Sequence, residues 1–230
     1  MPPAPRTFLY MSKSNSNLTH RILAVDDDPS VRDLIKTLLE IKGFKVFAAD
    51  SYEQGLDLAM KMLPHCLVVD WVLGNRSGLE LVSAIRRESS LRTAPVLLIS
   101  GKNMGPENLA EAIEAGADDF LTKPFNSVVF LAKIGALLRR ASWQDNQKTP
   151  ARIIRYKDLA INLTARSASI NKKLINLTYT EFELLVFFLE KRGEAVARPA
   201  LLSAISVKPD EVFQQVIDKH VENLRKKLGP

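Results

Sequence analysis

The sequence has a single cysteine, Cys66, among its 230 residues. One cysteine cannot form an internal disulfide, and it cannot build a cysteine-rich metal site. Long hydrophobic runs are also lacking, because none approaches the ~18–20 residues of a membrane-spanning helix. Near the amino terminus, the apolar patch Phe8–Tyr10 is far too short for the core of a signal peptide. We therefore expect a cytoplasmic protein.

The composition is that of an ordinary globular protein, but the charged residues are distributed unevenly along the chain. Hydrophobic residues make up 46% and charged residues 25% of the chain, whose length suits two domains. Residues 21–141 carry 15 basic and 16 acidic side chains, whereas residues 142–230 carry 15 basic and 10 acidic ones. A nearly neutral first half followed by a basic second half makes nucleic acid a candidate partner of the second half.

The first half predicts an α/β fold. Residues 1–20 are polar and rich in Pro, Ser and Asn, so we expect a disordered extension there. Residues 21–140 alternate helical periodicity with five short apolar runs, RILAV, FKVFAA, CLVV, VLLIS and DFLT. Such continuous apolar runs are typical of parallel strands covered on both faces. With right-handed crossovers they predict a doubly wound five-stranded parallel sheet.

The second half predicts a smaller α+β domain. Residues 141–151 lack periodicity and are predicted to be a linker. Within residues 152–230, the short segments RIIRY, LAIN, ASI and KLINL predict an antiparallel meander. Thr180 and Glu183 have the spacing of a helix capping box. The segment EVFQQVIDKHVENLRKKL predicts a long final helix with one apolar face.

Polar side chains follow four strands of the predicted sheet. Asp26 and Asp27 come after the first strand, Asp70 ends the third, Ser100 ends the fourth and Lys123 follows the fifth. Ligands of such sheets bind beyond the carboxyl ends of the strands, so these groups should meet in one pocket. Clustered carboxylates need a cation, and oxygen ligands suit Mg²⁺ or Mn²⁺. A lysine and a hydroxyl beside the metal would hold a phosphoryl group, and the carboxylate between them can act as the nucleophile.

Each of these residues also has a simpler structural interpretation. Asp28, which precedes Pro29 and Ser30, is expected to be a helix N-cap. Alone, Lys123 would be a solvated lysine and Ser100 could cap a turn. The joint order of these residues along four strand ends is what favours a phosphoryl-binding site.

The first half resembles the receiver domain of two-component response regulators. The motifs ILAVDDDP, VVDWVLGNRSG, VLLISGK and GADDFLTKPF carry this resemblance, over essentially all of residues 21–140. It implies that Asp70 is the phosphoacceptor and that a sensor histidine kinase supplies the phosphoryl group. The resemblance also implies these roles: Mg²⁺ ligands at Asp26, Asp27, Asp70 and the backbone carbonyl of Trp71, a switch hydroxyl at Ser100, a phosphoryl ligand at Lys123, a switch aromatic at Phe120 and a cis proline at Pro124.

The second half resembles the winged-helix effector domain of the OmpR/PhoB subfamily. The segments LTYTEFELLVFFLEKRGEAVARPALL and VIDKHVENLRKKL carry this resemblance. It implies a winged helix-turn-helix whose last long helix reads promoter half-sites in the major groove, with RNA polymerase as a further candidate partner. The DNA-binding candidates on this recognition helix are Lys219, His220, Asn223, Arg225, Lys226 and Lys227.

The chain departs from the family pattern in its dimerisation residues. The subfamily forms homodimers through charges on the fourth helix, the fifth strand and the fifth helix of the receiver. Leu109 and Val129 stand where charged residues are usual, which weakens the prediction of such a dimer. Charges that suit this face remain at Asp118, Asp119 and Lys133.

Three further departures from the family pattern concern the loop after Asp70, the recognition helix and the end of the sequence. Gly74 stands where a proline is usual in the loop after Asp70. Glu222 lies on the recognition helix, where a carboxylate opposes DNA phosphates. The sequence ends at LRKKLGP, before the β-hairpin wing of the family, so we expect an effector domain truncated after the recognition helix.

These features predict a phosphorylation-controlled DNA-binding transcriptional regulator. We expect no enzyme in the ordinary sense, although the receiver would assist its own phosphotransfer. The alternative is a phosphorylation-switched protein-interaction module with weak or no DNA binding, which Glu222 and the missing wing favour. A hydrolytic phosphatase with an aspartyl nucleophile usually has a second acid two residues later, where this chain has Val72, so that class is not favoured.

Overall fold

The computed structural model describes residues 20–101, 105–141, 153–205 and 211–229. Two predicted segments fall outside this part of the chain almost entirely: the extension over residues 1–20, apart from His20, and the linker over residues 141–151, apart from Ala141. Within the described ranges, no helix is both long enough and apolar enough to span a membrane.

The first half alternates strands and helices. Five of its strands form one parallel sheet in the order β2-β1-β3-β6-β7, and β4 and β5 form a short hairpin. This confirms the doubly wound α/β fold predicted from the sequence. The elements are β1 (Arg21–Val25), α1 (Pro29–Glu40), β2 (Lys45–Ala49), α2 (Tyr52–Met62), β3 (Cys66–Asp70), β4 (Val72–Leu73), β5 (Arg76–Ser77), α3 (Gly78–Arg87), β6 (Val96–Ser100), α4 (Pro106–Ala115), β7 (Asp119–Thr122) and α5 (Ser127–Ala141).

The apolar strands of this sheet are covered on both faces. Alternate side chains of β1 point to opposite faces, so Leu23 packs in one apolar cluster with α2, α3 and α4, whereas Ile22 packs in a second cluster with α1 and α5. Helix α1 begins as predicted, because the Asp28 side chain accepts a hydrogen bond from the Ser30 amide at 2.8 Å. The helices therefore hold the carboxyl ends of the strands together at one edge.

The second half is an antiparallel sheet followed by helices. The sheet has the order β11-β10-β9-β8, and a third apolar cluster lies between it and the helices. This agrees with the predicted winged-helix architecture. Its elements are β8 (Ile153–Tyr156), β9 (Leu159–Asn162), β10 (Ser167–Ile170), β11 (Lys173–Ile175), α6 (Tyr179–Glu190), α7 (Arg198–Ile205) and α8 (Glu211–Leu228).

The capping box of α6 lies two residues earlier than predicted. Thr178 is the N-cap, and its side chain and that of Glu181 exchange hydrogen bonds with each other's backbone amides. The prediction of Thr180 and Glu183 was wrong because Thr180 already lies in the first helical turn. Its amide instead donates to Asp118 of the first half at 2.9 Å.

The fold requires glycine at position 78, and a substitution there tests this requirement. A Cβ atom at Gly78 would lie 1.8 Å from the carbonyl oxygen of Asp70, so α3 can begin against β3 only with glycine there. We expect Gly78→Ala to lower the free energy of unfolding by roughly 1–3 kcal/mol or more, since backbone must move. Urea denaturation followed by circular dichroism measures this change.

The control is Gly135→Ala in α5, where an added Cβ meets nothing within 4 Å. Alanine is the better helix former, so this variant should be neutral or more stable by up to about 1 kcal/mol. Equal stabilities of the two variants would contradict the steric argument for Gly78.

Candidate functional site

The structure brings the predicted polar residues of the first half together at the carboxyl edge of the sheet. Carboxylate oxygens of Asp26, Asp27 and Asp70 all lie within 4.8 Å of one another. Ser100 ends β6, which is the neighbour of β3, and its side chain is fully buried. Parallel strands end at the same edge, and this is why residues far apart in sequence converge here.

Lys123 binds two of these carboxylates. Its ammonium group donates to Asp26 at 2.8 Å and also to Asp70. The Lys123 amide donates to the Ser100 carbonyl at 2.7 Å, and the Lys123–Pro124 peptide is cis, as the resemblance implied. The lysine is therefore fixed against the end of β6 and directed across the ends of β1 and β3.

The electrostatics of this cluster follow from burial and from the ion pairs. Burial raises the pKa of the Asp26 carboxyl, the hydrogen bond from Lys123 lowers it and the charge of Asp70 raises it, with a net increase. Burial lowers the pKa of Lys123, but its hydrogen bonds to Asp26 and Asp70 outweigh burial and raise it overall. The ammonium group therefore stays charged beside the carboxylates.

The loop after Asp70 is shaped by two glycines. Gly74 has a φ of 63°, which favours glycine, and its amide donates to the Asp27 carboxylate at 3.1 Å. A proline at this position could not make that bond, because it has no amide hydrogen. The Trp71 carbonyl, a predicted metal ligand, accepts a hydrogen bond from the Gly78 amide at 2.7 Å. A carbonyl oxygen has two lone pairs, so this hydrogen bond leaves one of them for the predicted contact with a cation.

The three carboxylates fit a hard divalent cation. They supply only oxygen atoms, two of the side chains are held by buried strand ends, and Asp27 is exposed to solvent. Such a set suits Mg²⁺ or Mn²⁺, which retain water ligands on the open side. The arrangement can hold an anion between a cation and the Lys123 ammonium group, beside a buried hydroxyl.

Phe120, the predicted switch aromatic, is half-buried. Its ring packs against the apolar cluster shared by α3 and α4, and the Lys133 ammonium group lies 5.8 Å from the ring centroid. Lys133 also pairs with Asp119 at 2.7 Å within the chain. Two charges expected at a dimer face are therefore engaged with each other.

Asp118 lies inside the protein and not at the dimer face for which its charge was suited. Its side chain is buried rather than exposed at a dimer face, and it accepts hydrogen bonds from Arg86 at 2.7 Å, the Val96 amide at 2.9 Å and the Thr180 amide at 2.9 Å. No pattern in the sequence indicates this role, because it depends on a contact between residues 62 positions apart.

The recognition helix α8 has a mixed surface. His220, a predicted DNA contact, is fully buried, so in this arrangement it cannot touch DNA. Lys219 pairs with Glu114 of α4 at 2.8 Å, and Lys227 pairs with the buried Glu181 at 2.6 Å. The remaining candidates are more open: Asn223 is half-buried, Arg225 is exposed, and Lys226 is exposed and pairs with Glu222 at 2.6 Å.

The two halves match two known families. Residues 22–135 match the response regulator receiver domain, and residues 171–230 match the carboxyl-terminal domain of transcriptional regulatory proteins. The transcriptional regulatory protein CpxR of Escherichia coli K12 is 34% identical over 212 residues, which cover 91% of this chain and 89% of CpxR. The chain belongs to the two-component response regulators of the OmpR/PhoB subfamily.

Other relatives agree with this assignment. The phosphate regulon transcriptional regulatory protein PhoB of Escherichia coli K12 is 29% identical and covers 93% of this chain and 91% of its own length. A solved structure of a RitR mutant covers 92% of this chain and 90% of its own, with a TM-score of 0.72 at 19% identity, and so supports the fold alone. The chemotaxis protein CheY4 of Vibrio cholerae matches 53% of this chain over its full length, with a TM-score of 0.51 at 29% identity.

Membership in this subfamily makes the chain a phosphorylation-dependent transcriptional regulator of a two-component system. A receiver precedes a DNA-binding domain, and the relatives are named as transcriptional regulators rather than as enzymes. The acidic group at the sheet edge lies within residues 22–135, which match the receiver domain. Helix α8 lies within residues 171–230, which match the carboxyl-terminal domain of transcriptional regulatory proteins.

The burial of His220 gives a pH prediction. Burial lowers the pKa of His220 from 6.5 to about 4, Glu181 and the Asp118 backbone raise it, and Lys227 and Arg86 lower it. Above the ordinary pKa the side chain is neutral in both states. As the pH falls toward 4 the unfolded chain takes up the proton first, so stability decreases by about 2 kcal/mol near pH 5.

The measurement is the midpoint of thermal unfolding against pH for the wild type and for His220→Leu. The variant has no imidazole to protonate, so its midpoint should fall less between about pH 7.5 and pH 5 than that of the wild type. Parallel pH profiles would show that His220 is not buried in the neutral form.

Proposed function

We propose that Asp70 is the phosphoacceptor of this regulator and that a sensor histidine kinase is its phosphoryl donor. The observation that carries this proposal is the convergence of Asp26, Asp70 and Lys123 in one hydrogen-bonded group, beside the end of the strand that carries Ser100. A nucleophile, a cation site and a phosphoryl ligand are then present in one edge of the sheet.

The reaction transfers one phosphoryl group from a donor, the kinase phosphohistidine, to an acceptor, Asp70. A carboxylate oxygen of Asp70 attacks phosphorus, and the phosphorus–nitrogen bond of the kinase phosphohistidine breaks. The electron pair of that bond stays on the kinase imidazole, which takes a proton from water, and Asp70 becomes an acyl phosphate. Lys123 neutralises the developing negative charge, and the Ser100 hydroxyl donates to a phosphoryl oxygen.

The cation would be held by Asp26, Asp27 and Asp70, and it supplies charge neutralisation for the phosphoryl oxygens when bound. The Trp71 carbonyl would complete this ligand set, because its oxygen keeps a second lone pair besides the one that accepts the Gly78 amide. The Gly74 amide supports Asp27, since it donates to the same carboxylate that would face the cation.

The output of the switch is DNA binding through α8. Exposed Arg225 and Lys226 supply charge for phosphate contacts, and Asn223 lies on the same helix. The second candidate function, a protein-interaction module with weak DNA binding, is supported by the ion pairs that Glu222 makes with Lys219 and Lys226. These pairs reduce the cationic charge that the helix offers to DNA.

The cellular setting follows from these partners. A protein that receives phosphate from a sensor kinase and binds promoters belongs in the cytoplasm, where it would meet RNA polymerase. A homodimer on half-sites would use α4, β7 and α5, although Asp119 and Lys133 are paired within the chain.

The phosphoacceptor is tested by labelling with radioactive acetyl phosphate and Mg²⁺. We expect Asp70→Asn to abolish the acid-stable, alkali-labile label, because the amide is not a nucleophile. The matched control is Asp28→Asn, since Asp28 caps α1 and asparagine caps a helix equally well. Label that persists in the Asp70 variant, or is lost only in the Asp28 variant, would contradict the assignment.

DNA binding is tested by the salt dependence of affinity for duplex DNA after treatment with acetyl phosphate and Mg²⁺. Arg225→Ala should weaken binding and lower the slope of log K against log salt by about one unit, because one phosphate contact is lost. Lys42→Ala, an exposed cation of the first half, is the control and should leave the slope unchanged. Affinity without salt dependence in the wild type would favour the protein-interaction module instead.

A further inference from the structure

Two adjacent cations of α8, Lys226 and Lys227, point their ammonium groups in different directions. The Lys227 ammonium group donates a hydrogen bond to the carboxylate of Glu181 in α6 at 2.6 Å. The Glu181 side chain is 1% exposed, and that of Lys227 is 35% exposed. Lys226 pairs with Glu222 of its own helix, and both of these side chains are at least half exposed. Lys227 is thus directed into the effector domain, whereas Lys226 is directed outward.

The periodicity of α8 accounts for this difference. Residues that are three or four positions apart in a helix lie on the same face. Lys227 follows Leu224 by three residues, and Leu224 is buried in the apolar cluster between the antiparallel sheet and the helices. Lys226 follows Glu222 by four residues, and both residues are exposed. The inward direction of Lys227 is therefore a property of its position in α8.

Glu181 connects the beginning of α6 with the end of α8. Its Oε2 atom accepts a hydrogen bond from the Thr178 amide at 2.8 Å, and the same atom accepts one from the Lys227 ammonium group. The Glu181 amide donates to the Thr178 hydroxyl at 3.5 Å, which completes the capping box. One buried oxygen atom therefore binds both the first turn of α6 and the last turn of α8.

The charges of this pair suit the two helix ends that they join. An anion is stabilised at the first turn of a helix and a cation at the last turn, because the helix dipole is positive at the amino end. Glu181 lies in the first turn of α6, and Lys227 lies in the last turn of α8. A buried carboxylate also needs a cationic partner, since an unpaired buried charge costs much free energy. The two helices therefore have one preferred contact at this point.

A side chain that contacts a DNA phosphate must turn its charge toward the DNA. The charge of Lys227 is turned toward a buried carboxylate instead. We propose that Lys227 is a positioning residue, which fixes the last turn of α8 on the capping box of α6 and makes no contact with DNA phosphates. The proposal rests on the proposed function, in that α8 is taken as the DNA-reading helix. It replaces the role in DNA contact that the sequence indicated for Lys227.

The positioning of this turn matters for the cations that point outward. A recognition helix lies in the major groove as one element, so its phosphate contacts depend on how its ends are held. Arg225 and Lys226 are exposed and directly precede Lys227. The ends of helices open more easily than their centres when tertiary contacts are removed. Lys227 thus supports the contacts of Arg225 and Lys226 without making one itself.

The first test is amide hydrogen–deuterium exchange of the full chain without DNA, followed by mass spectrometry of its peptides. Lys227→Met and Lys226→Met remove the same charge from adjacent positions, and methionine keeps the helix propensity of lysine. We expect Lys227→Met to speed exchange in the last turn of α8 and the first turn of α6 by about fivefold. Lys226→Met, the matched control, should leave exchange in α6 at the rate of the wild type.

A double-mutant cycle shows whether Lys227 acts through Glu181. Glu181→Gln removes the carboxylate charge, but glutamine can still accept the Thr178 amide in a capping box. We expect this variant to speed exchange in the last turn of α8, as Lys227→Met does. The double variant should exchange no faster than the faster single variant, because both substitutions break the same contact. Additive effects, or exchange at the wild-type rate in Lys227→Met, would overturn the proposal.

The second test measures the DNA affinity of Lys226→Met and Lys227→Met over a series of salt concentrations, after treatment with acetyl phosphate and Mg²⁺. The probe is a random-sequence duplex of about 30 base pairs, roughly three helical turns. Lys226→Met should lower the slope of log K against log salt by about one unit, because a phosphate contact is lost. Lys227→Met should weaken binding by about fivefold and leave the slope at the wild-type value.

The two tests distinguish this proposal from the proposed function. A slope lowered by about one unit in Lys227→Met would assign Lys227 to a phosphate contact and overturn its positioning role. Unchanged affinity in Lys227→Met would overturn that role as well. A wild type that binds the duplex without salt dependence would count against DNA binding as the output, and the exchange rates would still decide whether Lys227 fixes α8 on α6.

Discussion

The ammonium group of Lys123, which binds two carboxylates, is the contact on which the carboxyl edge of the sheet depends. A parallel sheet brings Asp26 and Asp70 side by side at a buried edge, where two carboxylates repel each other. Lys123 binds both of them and offsets that repulsion. The rest of the receiver fixes the backbone around this contact: β1 and β3 are almost wholly buried, and Gly78 lets α3 start directly against the Asp70 carbonyl. The result is a rigid edge of the sheet at which one ammonium group joins two carboxylates.

The fold and the convergence of polar side chains at the carboxyl edge of the sheet were predictable because both follow from local pattern and topology. Apolar runs indicate buried strands, and parallel strands end at the same edge of a sheet, so Asp70 at the end of β3 and Lys123 just after β7 are expected at one edge. The capping box was less predictable, since Thr178 with Glu181 and Thr180 with Glu183 have the same spacing. Only the extended backbone of Thr178 in the folded chain distinguishes the two.

The contacts between the domains had no sequence signature. Glu114 and Lys219 are ordinary charges on amphipathic helices, and His220 on a basic helix indicated a DNA contact. Their actual positions depend on how two separately folded units meet, which neither periodicity nor motif spacing encodes. Asp118 shows this most clearly, because the adjacent Asp119 does form the ion pair with Lys133 that the sequence pattern allowed, whereas Asp118 is buried.

The interface suits a reversible contact. Buried ion pairs are costly to break when one partner is left unpaired, but the Asp118 carboxylate keeps Arg86 and the Val96 amide within the receiver after the domains separate. Water can then replace the Thr180 amide at its other oxygen. The Glu114–Lys219 pair is half-exposed on the acidic side and contributes little on its own. The contact between the domains is thus stabilised mainly by buried apolar side chains such as Val216, whereas the burial of His220, whose ring nitrogens make no hydrogen bond among the described residues, costs free energy. Separation of the two domains would leave Glu181 paired with Lys227 inside the second domain, so no buried carboxylate would lose its cationic partner.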